Sequence, residues 1–161
     1  MTPAISRRAN EAPALIRLST PLANRLLKGG MPMGPNILMT VRGRVSGEPR
    51  SAPVAVVEIG GLRYVIGAYG DVQWVRNLRA AGEADLQIHG KPLHVIATEL
   101  DASAATVFYG KTLPAYIANF PWFGRAFAKV FFRMVGPELA SDPELAAALH
   151  PVFEMRQVAT R

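Results

Sequence analysis

The sequence predicts an α+β fold built on an antiparallel sheet or small barrel, and three observations carry that reading. Five short apolar runs, with room for a sixth, are each bounded by glycine, proline or polar turn residues. Two pairs of these runs are joined by tight glycine-containing turns. Helical spacing appears between and after the strands rather than in regular alternation with them. The chain has 161 residues, of which 50% are hydrophobic and 19% charged, enough to bury one ordinary core. It reads as a single domain over 1–161, with a helical segment at 1–30 and a barrel plus helices at 36–161.

The elements follow in order. Residues 13–28 place leucines at 15, 18, 22 and 26, a helical face that Pro21 interrupts. The breaker cluster GGMPMGPN (29–36) is a loop. ILMTVRG (37–43) and SAPVAVVEI (51–59) read as strands around a polar, glycine-flanked turn. Gly60-Gly61 signals a two-residue hairpin into a third strand, LRYVIGAY (62–69). Asp71 is the expected cap of a helix with apolar residues at 72, 75 and 78, which Gly82 stops. ADLQIHG (84–90) and PLHVIATEL (92–100) form a second hairpin around Gly90-Lys91. A helix opened by Asp101 and Ser103 is expected to end before Pro114. PWFGRAFAKVFFRMV (121–135) shows a broad stripe of period 3.6. Ser141-Asp-Pro-Glu144 reads as a capping box for a last short helix, which Pro151 ends.

Composition excludes several classes of function. With no cysteine, the chain has no disulfide scaffold, thiolate metal site, iron–sulfur ligation or cysteine nucleophile. No run approaches the ~18 unbroken apolar residues of a membrane span. The N-terminus has charges inside its short apolar stretch and makes a poor secretory signal, so a cytoplasmic location is expected. The net charge is +6, and residues 1–50 hold eight basic and two acidic side chains, so the excess sits in the first third. Arginine outnumbers lysine 14 to 4, which suits phosphates and carboxylates or reflects codon usage alone. The basic residues are not interleaved with aromatics, which argues against nucleic acid. His89 and His94 flank a hairpin turn and could face each other across it. No carboxylate joins them at a ligand spacing, and no metal site is expected.

No GxGxxG, P-loop, HExxH or GxSxG motif occurs. Two segments remain. Arg42-Gly-Arg-Val-Ser-Gly-Glu-Pro-Arg50 puts three arginines, a serine and two glycines between two strands. It is either a cradle for phosphate oxygens or a solvated turn. Gly67-Ala-Tyr-Gly-Asp-Val-Gln-Trp-Val-Arg-Asn77 runs from a strand end into a helix N-terminus, which attracts anions. Trp74 either stacks on a flat ring or packs in the core. Asn77 either bonds a ligand or sits on the helix surface.

Together, LMTVRGRVSGEPRSAPV, LRYVIGAYG and WVRNLRAAGEADLQI resemble the deazaflavin-dependent nitroreductase and quinone reductase family of actinobacteria. The resemblance runs in order from about residue 36 to 100, and HPVFE (150–154) is similar to the family's C-terminal tail. It implies a flavin-binding split β-barrel and coenzyme F(420), a deazaflavin with a phosphodiester and an acidic tail. The implied cofactor contacts are Arg44, Val45 and Ser46, then Arg50, Ser51, Ala52, Pro53, Val54 and Ala55. They continue at Ile66, Gly67, Ala68 and Tyr69, and end at Gln73, Trp74, Val75, Arg76 and Asn77. Arg44, Ser46 and Arg50 would meet the phosphate and tail, the strand after Arg50 would line the ring, and Trp74 would wall the pocket. Many members have Ser-Lys where this chain has Ala68-Tyr69, which shifts the charge to Arg42, Arg44 and Arg50.

The implied activity is hydride transfer from reduced deazaflavin to an electron-poor small molecule, a quinone, enone or nitro compound. Tyr69, Tyr109 and Tyr116 are the candidate proton donors, and the acceptor pocket is expected mainly along 101–135. FMN is the alternative cofactor, and a non-catalytic carrier of a cofactor or lipid-like ligand is the alternative function. Barrels of this type often dimerise, so a homodimer is an expectation. The 121–135 stripe, edged by Arg125, Lys129 and Arg133, suggests weak membrane association. Its alternative is packing on the barrel.

Overall fold

The computed structural model describes residues 36–159, so the helical segment expected at 13–28 lies outside the described residues. Six strands close into a barrel in the order β1-β2-β3-β6-β5-β4, every neighbouring pair antiparallel. They are β1 (Asn36–Arg42), β2 (Pro49–Ile59), β3 (Leu62–Ile66), β4 (Glu83–Ile88), β5 (Lys91–Glu99) and β6 (Val152–Gln157). Helix α1 (Gln73–Ala81) separates β3 from β4. Between β5 and β6 come α2 (Ala102–Val107), a π-turn segment (Phe108–Thr112) and α3 (Leu113–Ala118). Then follow α4 (Trp122–Val135), α5 (Glu138–Ser141) and α6 (Pro143–Leu149).

Strand alternation sorts the apolar residues into two cores. Met39, Val41, Val54, Val65, Leu86, Val95, Phe153 and Met155 point into the barrel. Val75 and Leu78 of α1 join them, so the helix plugs the barrel interior. The opposite faces of β2, β3 and β6 supply Val57, Ile59, Tyr64, Ile66 and Val152 to a second core. The helices after β5 cover it with Phe108, Tyr109, Leu113, Leu139 and Ala146.

Several local expectations change. The third strand stops at Ile66, because Gly67–Gly70 turn back on themselves through Ala68 N–H to Ile66 O and Gly70 N–H to Gly67 O. Asp71 does not cap α1: Val72 holds the cap position, and the Asp71 carboxylate accepts from Arg76 and Arg79 instead. Gly60 and Gly61 do make the expected hairpin, both at positive φ. In the second hairpin the turn residues are His89 and Gly90, with φ of 49° and 77°. His94 therefore pairs with Asp85 and does not face His89. The helix from Asp101 runs on past Pro114, because the π-turn at 108–112 widens the backbone ahead of the proline ring. Ser141 ends α5, and Asp142 caps α6 by accepting from Leu145 N–H. HPVFE, read as a tail, enters strand β6, which closes the barrel.

Candidate functional site

The antiparallel order brings both singled-out segments to one end of the barrel. β1 ends and β2 begins there, β3 ends there, and α1 lies across it. The turn between β1 and β2 is closed by Gly43 N–H to Glu48 O at 2.8 Å and Gly47 N–H to Gly43 O at 2.8 Å. Gly47 sits at φ +73°, where a side chain is strained. A Cβ on Gly43 would come within 3.0 Å of Ser46 Oγ and 3.2 Å of Glu48 O.

Arg44 joins the two segments. Its guanidinium donates to Gln73 Oε1 and to Asn77 Oδ1, both at 2.9 Å, and its backbone N–H reaches Asn77 Oδ1 at 3.3 Å. Asn77 is 7% exposed, so its amide is a buried anchor and not a surface group. Both acceptors are neutral. They hold the guanidinium in place, and no described carboxylate pairs with it. The other nearby arginines differ. Arg76 is paired to Asp71 at 2.9 Å, while Arg79 is paired to Asp71 at 2.9 Å and to Glu99 at 2.6 Å. Burial pushes the Asp71 carboxyl up, but the bonds from Arg79 and Arg76 outweigh it and hold it below its ordinary value. Arg50 is exposed and meets Glu48 at 3.5 Å, a weak surface pair.

The strand after Arg50 alternates. Val54 points into the barrel core, as does Val75 of α1, so only their backbone is available outside it. Ser51, Pro53 and Ala55 lie on the opposite face, partly exposed, and Ser51 Oγ is 2.8 Å from Thr40 Oγ1. All three side chains on this face are small. Val45 and Ser46 sit at the exposed tip of the turn, and Gln73 is exposed beside it. Trp74 packs on the barrel core with its ring 6.4 Å from Phe153, and part of the ring remains exposed. Gly67 donates to Pro151 O at 2.7 Å, and a Cβ there would meet Pro151 and Val75 at 3.2 Å.

The three tyrosines separate. Tyr109 is 2% exposed and its hydroxyl donates to His150 O at 2.8 Å, while burial pushes its pKa up. That hydroxyl is committed to the fold. Tyr116 packs edge-on against Phe120 in the outer core. Tyr69 alone of the three stands in the 67–70 turn, half-buried, and burial raises its pKa. It stays protonated at neutral pH.

Two features escaped the sequence reading. His94 Nδ1 lies 2.9 Å from Asp85 and its Nε2 3.6 Å from Glu83, carboxylates that cross-strand pairing brings in. No group of three or more His, Asp or Glu that could hold a metal occurs among the described residues. His150, 3% exposed, bonds Glu138 Oε1 at 2.8 Å and so fastens α5 to the start of β6. The period-two alternation of Phe153-Glu-Met-Arg156 was the available signal for β6.

Comparison with known proteins gives the family. The family model described as F420H(2)-dependent quinone reductase matches residues 22–120. The chain belongs to that family. It is accordingly a coenzyme F(420)-dependent reductase that acts on a small-molecule acceptor. Among solved structures it is similar to an F420-H2 dependent reductase (FDR-A), at 23% identity over 76% of this chain and 94% of that one, with a TM-score of 0.48. It is also similar to a protein of unknown function from Agrobacterium tumefaciens, at 16% identity over 99% of this chain and 60% of that one, with a TM-score of 0.50. The second likeness supports the fold. No curated protein matches the chain.

The residues present fit this cofactor. An arginine held by neutral acceptors beside a strand face of small side chains suits a phosphorylated planar molecule.

Proposed function

We propose that the barrel end around Arg44 holds coenzyme F(420), and that the acceptor is a quinone, enone or nitro compound. Arg44, Ser46 and Arg50 bind the phosphate and acidic tail. The outer face of Ser51, Pro53 and Ala55 lines the ring, and the 66–69 turn and Trp74 border it. When bound, the deazaflavin supplies a hydride; the protein positions it and excludes water. Asn77 and Gln73 orient Arg44. Tyr69 Oη holds a proton for the reduced product. The observation that carries this reading is the Arg44–Gln73–Asn77 clamp, which holds a cation with no described carboxylate partner at the end where all the implied segments meet.

Fluorescence titration with coenzyme F(420) and with FMN tests it. Tighter F(420) binding is expected; equal or tighter FMN binding overturns the assignment. A lost charged hydrogen bond is worth ~1.5–3 kcal/mol. Arg50→Ala is therefore expected to weaken binding by roughly ten- to hundredfold. An unchanged affinity makes Arg50 a turn residue only.

The exposed face of α4 favours a second, finer reading: weak attachment to an anionic membrane surface. No residue of this helix is buried, and Trp122, Phe127 and Met134 are exposed. Arg125, Lys129 and Arg133 follow at four-residue spacing, and 121–135 contains no acidic residue. Apolar side chains edged by cations match lipid headgroups better than a second, equally basic copy. No helix among the described residues is long and apolar enough to cross a membrane. Co-sedimentation with anionic vesicles at low salt is expected, and Phe127→Glu with Phe131→Glu should abolish it while leaving the fold intact. Protein that stays in the supernatant refutes attachment. A dimer in sedimentation velocity that the double variant dissolves assigns the face to a homodimer.

A further inference from the structure

A cleft of about 320 Å³ opens between α1, α2, α6 and the β6 entry, apart from the arginine turn. Its floor includes Leu100 and Val152, and four alanines line it: Ala102 and Ala105 of α2, Ala147 and Ala148 of α6. A leucine at several of these positions would fill the space, so the hollow depends on small side chains where two helices meet. Ala105 and Ala146, the latter just behind the wall, are buried, so the helices are seated and not splayed.

Asp71, Arg79 and Glu99 form the rim. Arg79 donates through Nε and Nη2 to Glu99 at 2.6 and 2.7 Å, and through Nη1 to Asp71 at 2.9 Å. Arginine has five N–H donors, so these bonds leave two for another acceptor. Asp71 also holds Arg76, so two carboxylates balance two guanidinium groups. A rim of balanced charge gives a free anion or cation no net attraction. It still offers spare N–H groups beside an apolar floor. The volume lies at the small end of the range for ligand sites, which run from ~300 Å³ upward.

We propose that this cleft binds a small neutral ring compound bearing a carbonyl or hydroxyl oxygen, with the ring among the alanines and the oxygen on Arg79. The site does not depend on the cofactor, so its test uses the full chain alone. The probes are 1-indanone, indane and indane-1-carboxylate, followed by the methyl signals of alanine labelled with carbon-13. The ketone is expected to shift the signals of Ala102, Ala105, Ala147 and Ala148, saturably. It should bind at least fivefold tighter than indane or the carboxylate. Ala148→Phe, at an exposed wall position, should weaken the ketone about tenfold with an unchanged circular dichroism spectrum. Arg79→Lys keeps a cation on the rim but removes the planar fork, and should bring the ketone down to the level of indane. Shifts confined to other alanines, no saturation, equal binding of all three probes, or no response to Ala148→Phe would each overturn the proposal.

Discussion

The barrel interior and helix α4 carry equally clear apolar patterns and meet opposite fates. Met39, Val65, Val75, Leu86 and Val95 are each 0% exposed. On α4, Trp122 is 74% exposed and Met134 81%. Only the far side of the helix, at Phe132 and Val135, reaches the outer core. Periodicity states that a face is apolar; it does not state what covers it. Closure of the sheet surrounds an inward residue with partners from several strands. A helix beyond the covering layer has one row of neighbours.

The contrast has measurable edges. Leu86→Ala empties a site at the centre of the barrel and should cost about 2–5 kcal/mol in urea unfolding. An effect below about 1 kcal/mol would mean that the interior relaxes and is not the stabilising region.

Glu138→Gln tests how the outer helices are fastened. Burial pushes the Glu138 carboxyl up, but the His150 hydrogen bond, a backbone bond and His150's charge outweigh it and hold it below its ordinary value of 4.5. A depressed carboxylate stabilises the fold above its unfolded pKa, and that contribution fades as pH falls through the folded one. Wild-type stability should therefore drop below about pH 5. The Gln variant should lose about 1.5–3 kcal/mol at neutral pH and show a shallower acid slope. An identical slope would detach Glu138 from the acid response.

Tyr109→Phe removes only the bond to His150 O and should cost about 1 kcal/mol, with the pH profile of turnover unchanged. A shifted profile would return Tyr109 to the chemistry. Phe127→Ala, on the exposed face of α4, should move stability by no more than about 0.5 kcal/mol. A larger loss would show that the face is covered in solution.

How far the sequence could be read follows from the range of each interaction. The Gly60-Gly61 hairpin was legible because its signal and its geometry sit in the same four residues. Asp71 was misread because its partners, Arg76 and Arg79, depend on how α1 turns, and the cap position falls one residue later. Arg44 and Asn77 stood out separately, yet nothing local joins residues 33 apart. The resemblance put both in one cofactor site, and the fold shows the bond between them. Strand β6 was missed because its partners β3 and β5 lie far back in the chain.

That late strand also governs how the protein is made. During synthesis β3 and β5 emerge long before residues 152–157, and each waits with an unpaired backbone edge. Phe153 and Met155 are missing from the core until the same moment. Five strands can pair in order as they emerge, but the ring cannot close before β6. It closes in one late event, with the slow kinetics of distant pairing, and until then the nascent chain carries two sticky edges.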